Sequence, residues 1–219
     1  MTATIVKPTK KHARKVLELV SHGLVKGLGV QEPGKMCVEA AVCAALGLPH
    51  SDKPPCVGEV VRQFKISLND SYWSSNDARA KGMKRLAVAQ LGSNTIDQVE
   101  FARHLTRLII QRVVPIALRA AASIHKDAAH RKAMEEAAVK CEHAETDAAA
   151  SYASDAASSA SYAASYAASA AASDAARAAA RAASAARDNV LEAAAECGVV
   201  ALELCGSPGV KWLDLCEYY

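Results

Sequence analysis

The sequence contains few aromatic residues and long stretches without a helix-breaking residue. Aromatics make up 5% of the chain and phenylalanine occurs twice, so any core has to be built from aliphatic side chains and alanine. Between Gly92 and Gly198, Pro115 is the only residue that is either glycine or proline. Because both residue types end or bend helices, their scarcity predicts long helices over this half of the chain.

Several marks of particular protein classes are also missing. No run of 18 apolar residues occurs, which predicts no transmembrane helix and no membrane partner, and the charged amino terminus predicts no signal peptide. Gly27-Leu28-Gly29 lacks the preceding strand and the third glycine of a phosphate-binding loop. The seven cysteines are scattered without the spacing of a disulfide framework, which predicts a cytoplasmic protein.

The most distinctive stretch is an alanine-rich segment, residues 146–187. Alanine accounts for 23 of its 42 residues, and neither glycine nor proline occurs in it. Because alanine loses no side-chain entropy in a helix, we expect one continuous helix about 60 Å long. Alanine buries little area but allows helix backbones to approach closely. The segment is therefore predicted to be a rod that packs against a partner helix, from its own chain or from a second copy.

A four-residue repeat runs through the rod. The sequence Ser-Tyr-Ala-Ala at 161–164 is repeated at 165–168. Because each repeat drifts about 40° around a helix, the row does not form the single face of a two-stranded coiled coil. The candidate interaction residues belong to this part of the rod and to the apolar carboxy-terminal tail: Tyr162, Tyr166, Ala167, Ala171 and Trp212.

The chain is predicted to divide into two helical domains. Residues 1–93 are expected to form a small domain around a buried, cysteine-containing helix, and residues 94–219 a bundle with the rod and a carboxy-terminal cap. No pattern of parallel strands occurs. The predicted class is therefore all-α, with an antiparallel helical bundle in the second half.

Apolar periodicity, caps and breakers place the individual helices. The predicted helices span residues 9–25, 36–48, 54–64, 74–91, 96–124, 127–143, 147–187 and 190–205, with an extended piece at 66–68. The predicted amino-terminal caps are Ser74 with Asp77, Thr95 with Gln98, Asp127, and Asn189 with Glu192. Pro115 is expected to kink the helix that contains it.

Cys37 is the candidate catalytic residue. It falls in the first turn of a predicted helix, where the helix dipole lowers the pKa of a thiol and favours the thiolate. A cysteine nucleophile needs a base, and the sequence offers four without a diagnostic spacing: His22, His50, His104 and His125. The alternative is that Cys37 and Cys43 are small buried hydrophobes. We favour this alternative, which makes Cys37 structural.

Metal and cofactor binding are not predicted. A set of Cys37, Cys43, His50 and Cys56 lacks the spacing of a zinc site, because paired ligands normally lie two to four residues apart. Six residues turn a helix by about 240°, which directs Cys37 and Cys43 apart. No Gly-rich motif marks a nucleotide site.

A block within residues 33–76 carries a resemblance. It reads Pro-Gly-Lys-Met-Cys-Val-Glu-Ala-Ala-Val-Cys at 33–43, Leu-Gly-Leu-Pro-His at 46–50 and Trp-Ser-Ser-Asn at 73–76. This block resembles uncharacterised bacterial and phage proteins that pair it with an Ala/Ser/Tyr-rich second half. The resemblance implies no activity.

The sequence favours a non-catalytic structural or protein-interaction protein. It would self-assemble as a homo-oligomer, or dock a protein partner, through its alanine-rich helix. One alternative is a cysteine-dependent enzyme that uses Cys37. A further alternative is a nucleic-acid-binding protein that uses the basic amino terminus, where residues 1–31 carry six lysines and arginines against Glu18 alone. The helices predicted at 96–124 and 127–143 would compete with a second copy for the surface of the rod.

Overall fold

The computed structural model describes residues 7–144 and 184–219. Within these ranges the protein is all-α, as predicted, with eight α-helices and no strand. The predicted rod lies outside the described residues except for positions 184–187. Gly29 and Met36 form an isolated antiparallel bridge in the long loop after the first helix.

The eight helices follow one another in chain order with short connections. They are α1 (Lys10–Ser21), α2 (Val38–Ala45), α3 (Glu59–Asn69), α4 (Asn76–Ala89), α5 (Gln98–Leu108), α6 (Val114–Ile124), α7 (Ala128–Glu142) and α8 (Ser184–Leu204). Shorter turns lie between and after them: a 3₁₀ turn at Ser93–Thr95, a π-helical segment at Ile109–Val113 and a 3₁₀ segment at Pro208–Glu217.

The predicted start and end of the third helix are wrong. The two prolines lie in a turn in which the amide of Val57 donates to the carbonyl of Pro54, and α3 begins only at Glu59. Residues 66–68, predicted to be extended, belong to this helix. The helix continues because Phe64 and Leu68 are buried on one face, at helical spacing.

Two predicted caps are displaced by one or two residues. The hydroxyl of Ser75, not that of Ser74, accepts a hydrogen bond from the third amide of α4. The carboxylate of Asp97 caps α5 by accepting from the amides of Val99 and Glu100. A carboxylate cap satisfies two otherwise unpaired amides at once. The cap predicted at Asp127 is observed, since its carboxylate accepts from the third amide of α7.

The predicted boundary between the rod and the last helix is wrong. Asn189, predicted as a cap, lies inside α8, which continues without a break from position 184. The carboxylate of the preceding Asp188 instead accepts hydrogen bonds from the amide and hydroxyl of Ser74. This contact joins α8 to the loop that leads into α4.

Pro115 interrupts the predicted helix 96–124. The α-helix ends at Leu108, a π-helical segment follows, and α6 starts at Val114 with the proline in its first turn. Proline cannot donate the amide hydrogen bond that the continuous helix needs, and its ring crowds the preceding turn. The widened segment is the local adjustment to this defect.

A single cluster of buried side chains includes residues from both sides of position 93. α4 lies at its centre and packs against α1, α2, α8 and the last 3₁₀ segment. That segment buries Trp212, Leu213 and Leu215, and Gly209 in it lies so close to α4 that an added Cβ would stand 2.3 Å from the Val88 carbonyl oxygen. The division of the chain into two domains stays a prediction.

α6 and α7 form a helix pair that we call the arm, Val114–Glu142. The two helices pack mainly on each other, and Arg119 of α6 forms ion pairs with Glu135 and Glu142 of α7. In α7, Ala138 is the one buried residue. The arm therefore presents most of α7 at the surface of the described part of the chain.

Candidate functional site around Cys37, Glu39 and Lys65

Cys37 is the amino-terminal cap of α2. Its backbone is extended, and its Sγ accepts a hydrogen bond of 3.4 Å from the amide of Ala40. The amide of Val38 donates to Oδ1 of Asn69 in α3, at 3.3 Å. The first amides of α2 are thus satisfied by protein groups, and the thiol serves as one of them.

The expectation that the helix dipole lowers the pKa of Cys37 is wrong. The side chain is 5% exposed, and burial raises the pKa of its thiol, while the hydrogen bond from the Ala40 amide offsets this only partly. Removing a thiolate from water costs more free energy than the helix terminus returns. At neutral pH Cys37 is a protonated thiol, which fits the structural role predicted for it.

The four candidate bases do not approach Cys37 as partners. Among the described residues, no histidine ring forms a hydrogen bond with its Sγ. His50 contacts the carbonyl oxygen of Gly29 at 3.1 Å, and His104 lies 3.8 Å from a carboxylate oxygen of Glu100. His22 caps the end of α1, and His125 lies in the arm beside His130, with ring centroids 5.0 Å apart.

The most unusual feature beside Cys37 is a buried ion pair. Oε1 of Glu39 in α2 lies 3.1 Å from Nζ of Lys65 in α3, and both side chains are 0% exposed. Neither the two oxygens of Glu39 nor the nitrogen of Lys65 has a hydrogen-bond partner. The pair is therefore held by proximity and charge, without the additional hydrogen bonds that usually accompany buried charges.

Burial shifts both groups of the pair toward their neutral forms. It raises the pKa of Glu39 and lowers the pKa of Lys65, and the attraction between the two charges opposes each shift. Desolvation is the largest cause for both groups, because a charge loses its hydration inside the protein.

Sequence reasoning missed Lys65, although a signal was present. The residue follows Val61 by four positions and precedes Leu68 by three, so it occupies the buried face of an amphipathic helix. Glu39 similarly interrupts an otherwise apolar run. A lone charge on each of two buried helix faces indicates a pair, because a single buried charge is very costly.

Arg62 forms a second, more exposed charge cluster at the same end of α3. Its guanidinium donates to both carboxylate oxygens of Glu59 and to Oδ2 of Asp52. The Arg62 side chain is largely buried, whereas the two carboxylates are partly exposed. The cluster therefore bridges the surface and the interior pair.

A small cavity opens beside Glu39. It has a volume of about 50 Å³ and lies between the start of α2, the α3 face and the loop after α1. Its lining consists of Gly27, Leu28, Cys37, Val38, Glu39, Asp52, Ile66, Asn69 and Asp70. The loop wall is fixed by a hydrogen bond of 2.8 Å from the amide of Gly27 to Oδ1 of Asp70. The cavity brings together an acidic lining and one completely buried carboxylate.

The other cysteines do not supply a reactive or metal-binding centre. Burial raises the pKa of Cys43 to about 12 and also raises the pKa of Cys56. Within residues 7–144 and 184–219, no group of three His, Cys, Asp or Glu side chains is placed to hold a metal ion. All seven cysteines are free thiols.

The predicted interaction residues are mostly outside the described part of the chain. Tyr162, Tyr166, Ala167 and Ala171 fall in the range 145–183. Trp212 is described, and it is buried by its own chain in the last 3₁₀ segment. It therefore contributes to the core beside α4.

Comparison with protein-family models, with curated proteins and with solved structures gives no match for this chain. Among the described helices, none has the length and apolar character required to cross a membrane.

Proposed function

We propose that this protein is a non-catalytic structural or interaction protein that self-associates through its helical second half. The observation that carries this proposal is the arm. α7 spans 15 residues, yet Ala138 is its one buried side chain. A helix gains most of its stability from tertiary packing of one face, so a helix with so little buried surface is expected to gain further packing from another surface.

The apolar residues on the arm support the same proposal. Ile116, Ile124 and Val139 are exposed, although each is large and aliphatic. The alanine-rich segment follows the arm directly in the chain, and its small side chains suit close contact between helix backbones. A second copy would supply the same kinds of surface, which is the arrangement of most homo-oligomers.

The two alternatives have less support. Catalysis by Cys37 requires an accessible thiolate, whereas burial keeps this thiol protonated. Nucleic-acid binding requires free basic groups, whereas Lys10 pairs with Asp214 and Lys15 with Glu18. Neither observation favours a second function.

Sedimentation equilibrium of the full chain across the micromolar range tests the proposal. We expect a mass that rises to a whole-number multiple of the mass of one chain. A mass that stays at one chain throughout would overturn self-association and leave the arm as a surface for a different protein or for the rest of its own chain.

A matched pair of variants locates the contact. Val139→Glu places a charge on α7, and Val30→Glu makes the same change at a residue of similar exposure in the loop before α2. We expect weaker association for Val139→Glu and no change for Val30→Glu. Equal effects of the two substitutions would refute an interface on the arm.

A further inference from the structure

The cavity beside Glu39 has the character of a binding site rather than a packing defect. Glu39 lines it, is completely buried, and has no hydrogen-bond donor on either carboxylate oxygen. A buried polar atom without a partner is rare in proteins and usually indicates a missing water, ion or ligand. An oxygen of this kind inside a cavity therefore points to an occupant that donates a hydrogen bond.

The donors and acceptors around the cavity specify the chemistry of that occupant. Both hydrogens of the Asn69 side-chain amide are used, on the Val25 carbonyl and on Asp70. The amides of Gly27 and Val38 are also used. Among the nine lining residues, the Cys37 thiol is the one side-chain donor left, and it is a weak donor.

The ionisable groups in the lining, apart from that thiol, are carboxylates. They are Glu39, Asp52 and Asp70. Lys65 and Arg62 contact these acids from outside the cavity and do not line it. The walls thus offer negative charge and unused acceptor oxygens, which excludes an anion and favours a cation that carries N–H groups.

The volume limits the size of the group that enters. A cavity of about 50 Å³ holds only a few non-hydrogen atoms, since one water occupies about 30 Å³ in the liquid. We infer that this cavity binds a protonated primary amine, with the ammonium group directed at the Glu39 carboxylate. The amine is either a small free amine or the end of an aliphatic amine stem such as a lysine side chain.

Methylammonium is the probe for this site, and tetramethylammonium is its matched control. Both carry one positive charge, but tetramethylammonium has no N–H group and is larger. Saturation transfer from the full chain to the methyl protons, followed over a titration at constant ionic strength, reports binding of each. We expect saturable binding of methylammonium and none of tetramethylammonium. Equal binding of the two ions would overturn the proposal.

Asp52→Asn tests the lining without removing a buried charge. Because Asp52 is partly exposed, we expect the dissociation constant for methylammonium to rise about two- to fivefold. Asp214→Asn is the control, since it removes the same charge from an exposed carboxylate that does not line the cavity. An unchanged dissociation constant for Asp52→Asn, or an equal change for Asp214→Asn, would contradict the assignment.

The double variant Glu39→Gln with Lys65→Met tests the buried carboxylate itself. It removes both charges together and so avoids leaving either one unpaired. With circular dichroism matching that of the natural chain, we expect no methylammonium binding, and persistent binding would refute the site. If this variant does not fold, the comparisons of the two ions and of Asp52→Asn still decide the question.

Butylammonium distinguishes the two sources of the amine. Tighter binding than methylammonium would show that the cavity mouth admits an aliphatic stem, as a lysine side chain would require. Weaker binding would restrict the site to small free amines. Both results support an amine site, whereas loss of binding for both amines would overturn it.

Discussion

Replacing Lys65 by methionine tests whether the buried ion pair is a central determinant of stability. Methionine has a similar length and fills similar space, so the main change is the loss of the positive charge. Glu39 would then be a carboxylate that is 0% exposed and has neither an ion-pair nor a hydrogen-bond partner. Removing one member of a buried pair typically costs about 3–5 kcal/mol. That is a large share of the roughly 5–15 kcal/mol by which a folded protein is stable.

The pH dependence of the Lys65→Met variant distinguishes this cause from a packing defect. Burial raises the pKa of Glu39 above its ordinary value of 4.5, and removal of Lys65 eliminates the attraction that opposes this shift. Between the ordinary and the raised pKa, the folded state binds more protons than the unfolded state, so stability falls as pH rises through this range. The variant should therefore recover toward the natural chain as the pH is lowered to about 4.5, whereas a packing defect would be independent of pH.

Urea unfolding followed by circular dichroism measures the difference in free energy at each pH. The control is Lys81→Met, because Lys81 is 79% exposed and lies 3.8 Å from Glu192 in a surface pair. We expect this control to change the free energy of unfolding by less than about 0.5 kcal/mol. The double variant Glu39→Gln with Lys65→Met should return to within about 1.5 kcal/mol of the natural chain. A cost below about 1 kcal/mol for Lys65→Met at neutral pH, unchanged at low pH, would refute the reasoning.

Three other predictions follow from single side chains. Cys37 should resist a mild alkylating reagent in the native protein and react fully after denaturation, because it is buried and its pKa is raised; rapid stoichiometric labelling at neutral pH would contradict its structural role. Asp97→Ala should lower the free energy of unfolding by about 0.5–2 kcal/mol by removing the α5 cap, whereas the control Asp97→Asn, which can still accept a hydrogen bond, should have a smaller effect. Leucine at Ala167 or Ala171 should cost about 1–3 kcal/mol if the alanine-rich segment is closely packed, and a change near zero for both in urea unfolding would indicate an unpacked face.

The sequence predicts the fold class and the approximate position of most helices. Apolar spacing identifies α1, whose buried residues include Val16, Leu17 and Val20, and the scarcity of breakers predicts the helical second half. The end of α8 is also predictable, because Gly206 and Pro208 follow it. These features depend on interactions within one or two turns of chain, which a single sequence records.

Helix starts are less predictable, because several neighbouring residues can serve as caps. Ser74 and Ser75 are chemically identical candidates, and the choice depends on Asp188, which engages Ser74 from α8. Asp97 similarly caps α5 in place of Thr95, which belongs to the 3₁₀ turn before it. The deciding contacts for Ser74 come from a residue more than a hundred positions away, so no local pattern contains them.

The Cys37 region shows how a correct local argument fails once tertiary burial is included. The position of this cysteine at the start of α2 is as predicted, and the amide of Ala40 does point at its sulfur. The loop after α1 also closes over it, since the Cys37 amide donates to the carbonyl of Leu28, and the resulting desolvation raises the thiol pKa. The same burial isolates Glu39 and Lys65 from water, so their charges have to be balanced within the protein. Acidic cavity lining next to this pair is therefore the feature whose chemistry most needs an occupant, and that occupant is what the amine titration would identify.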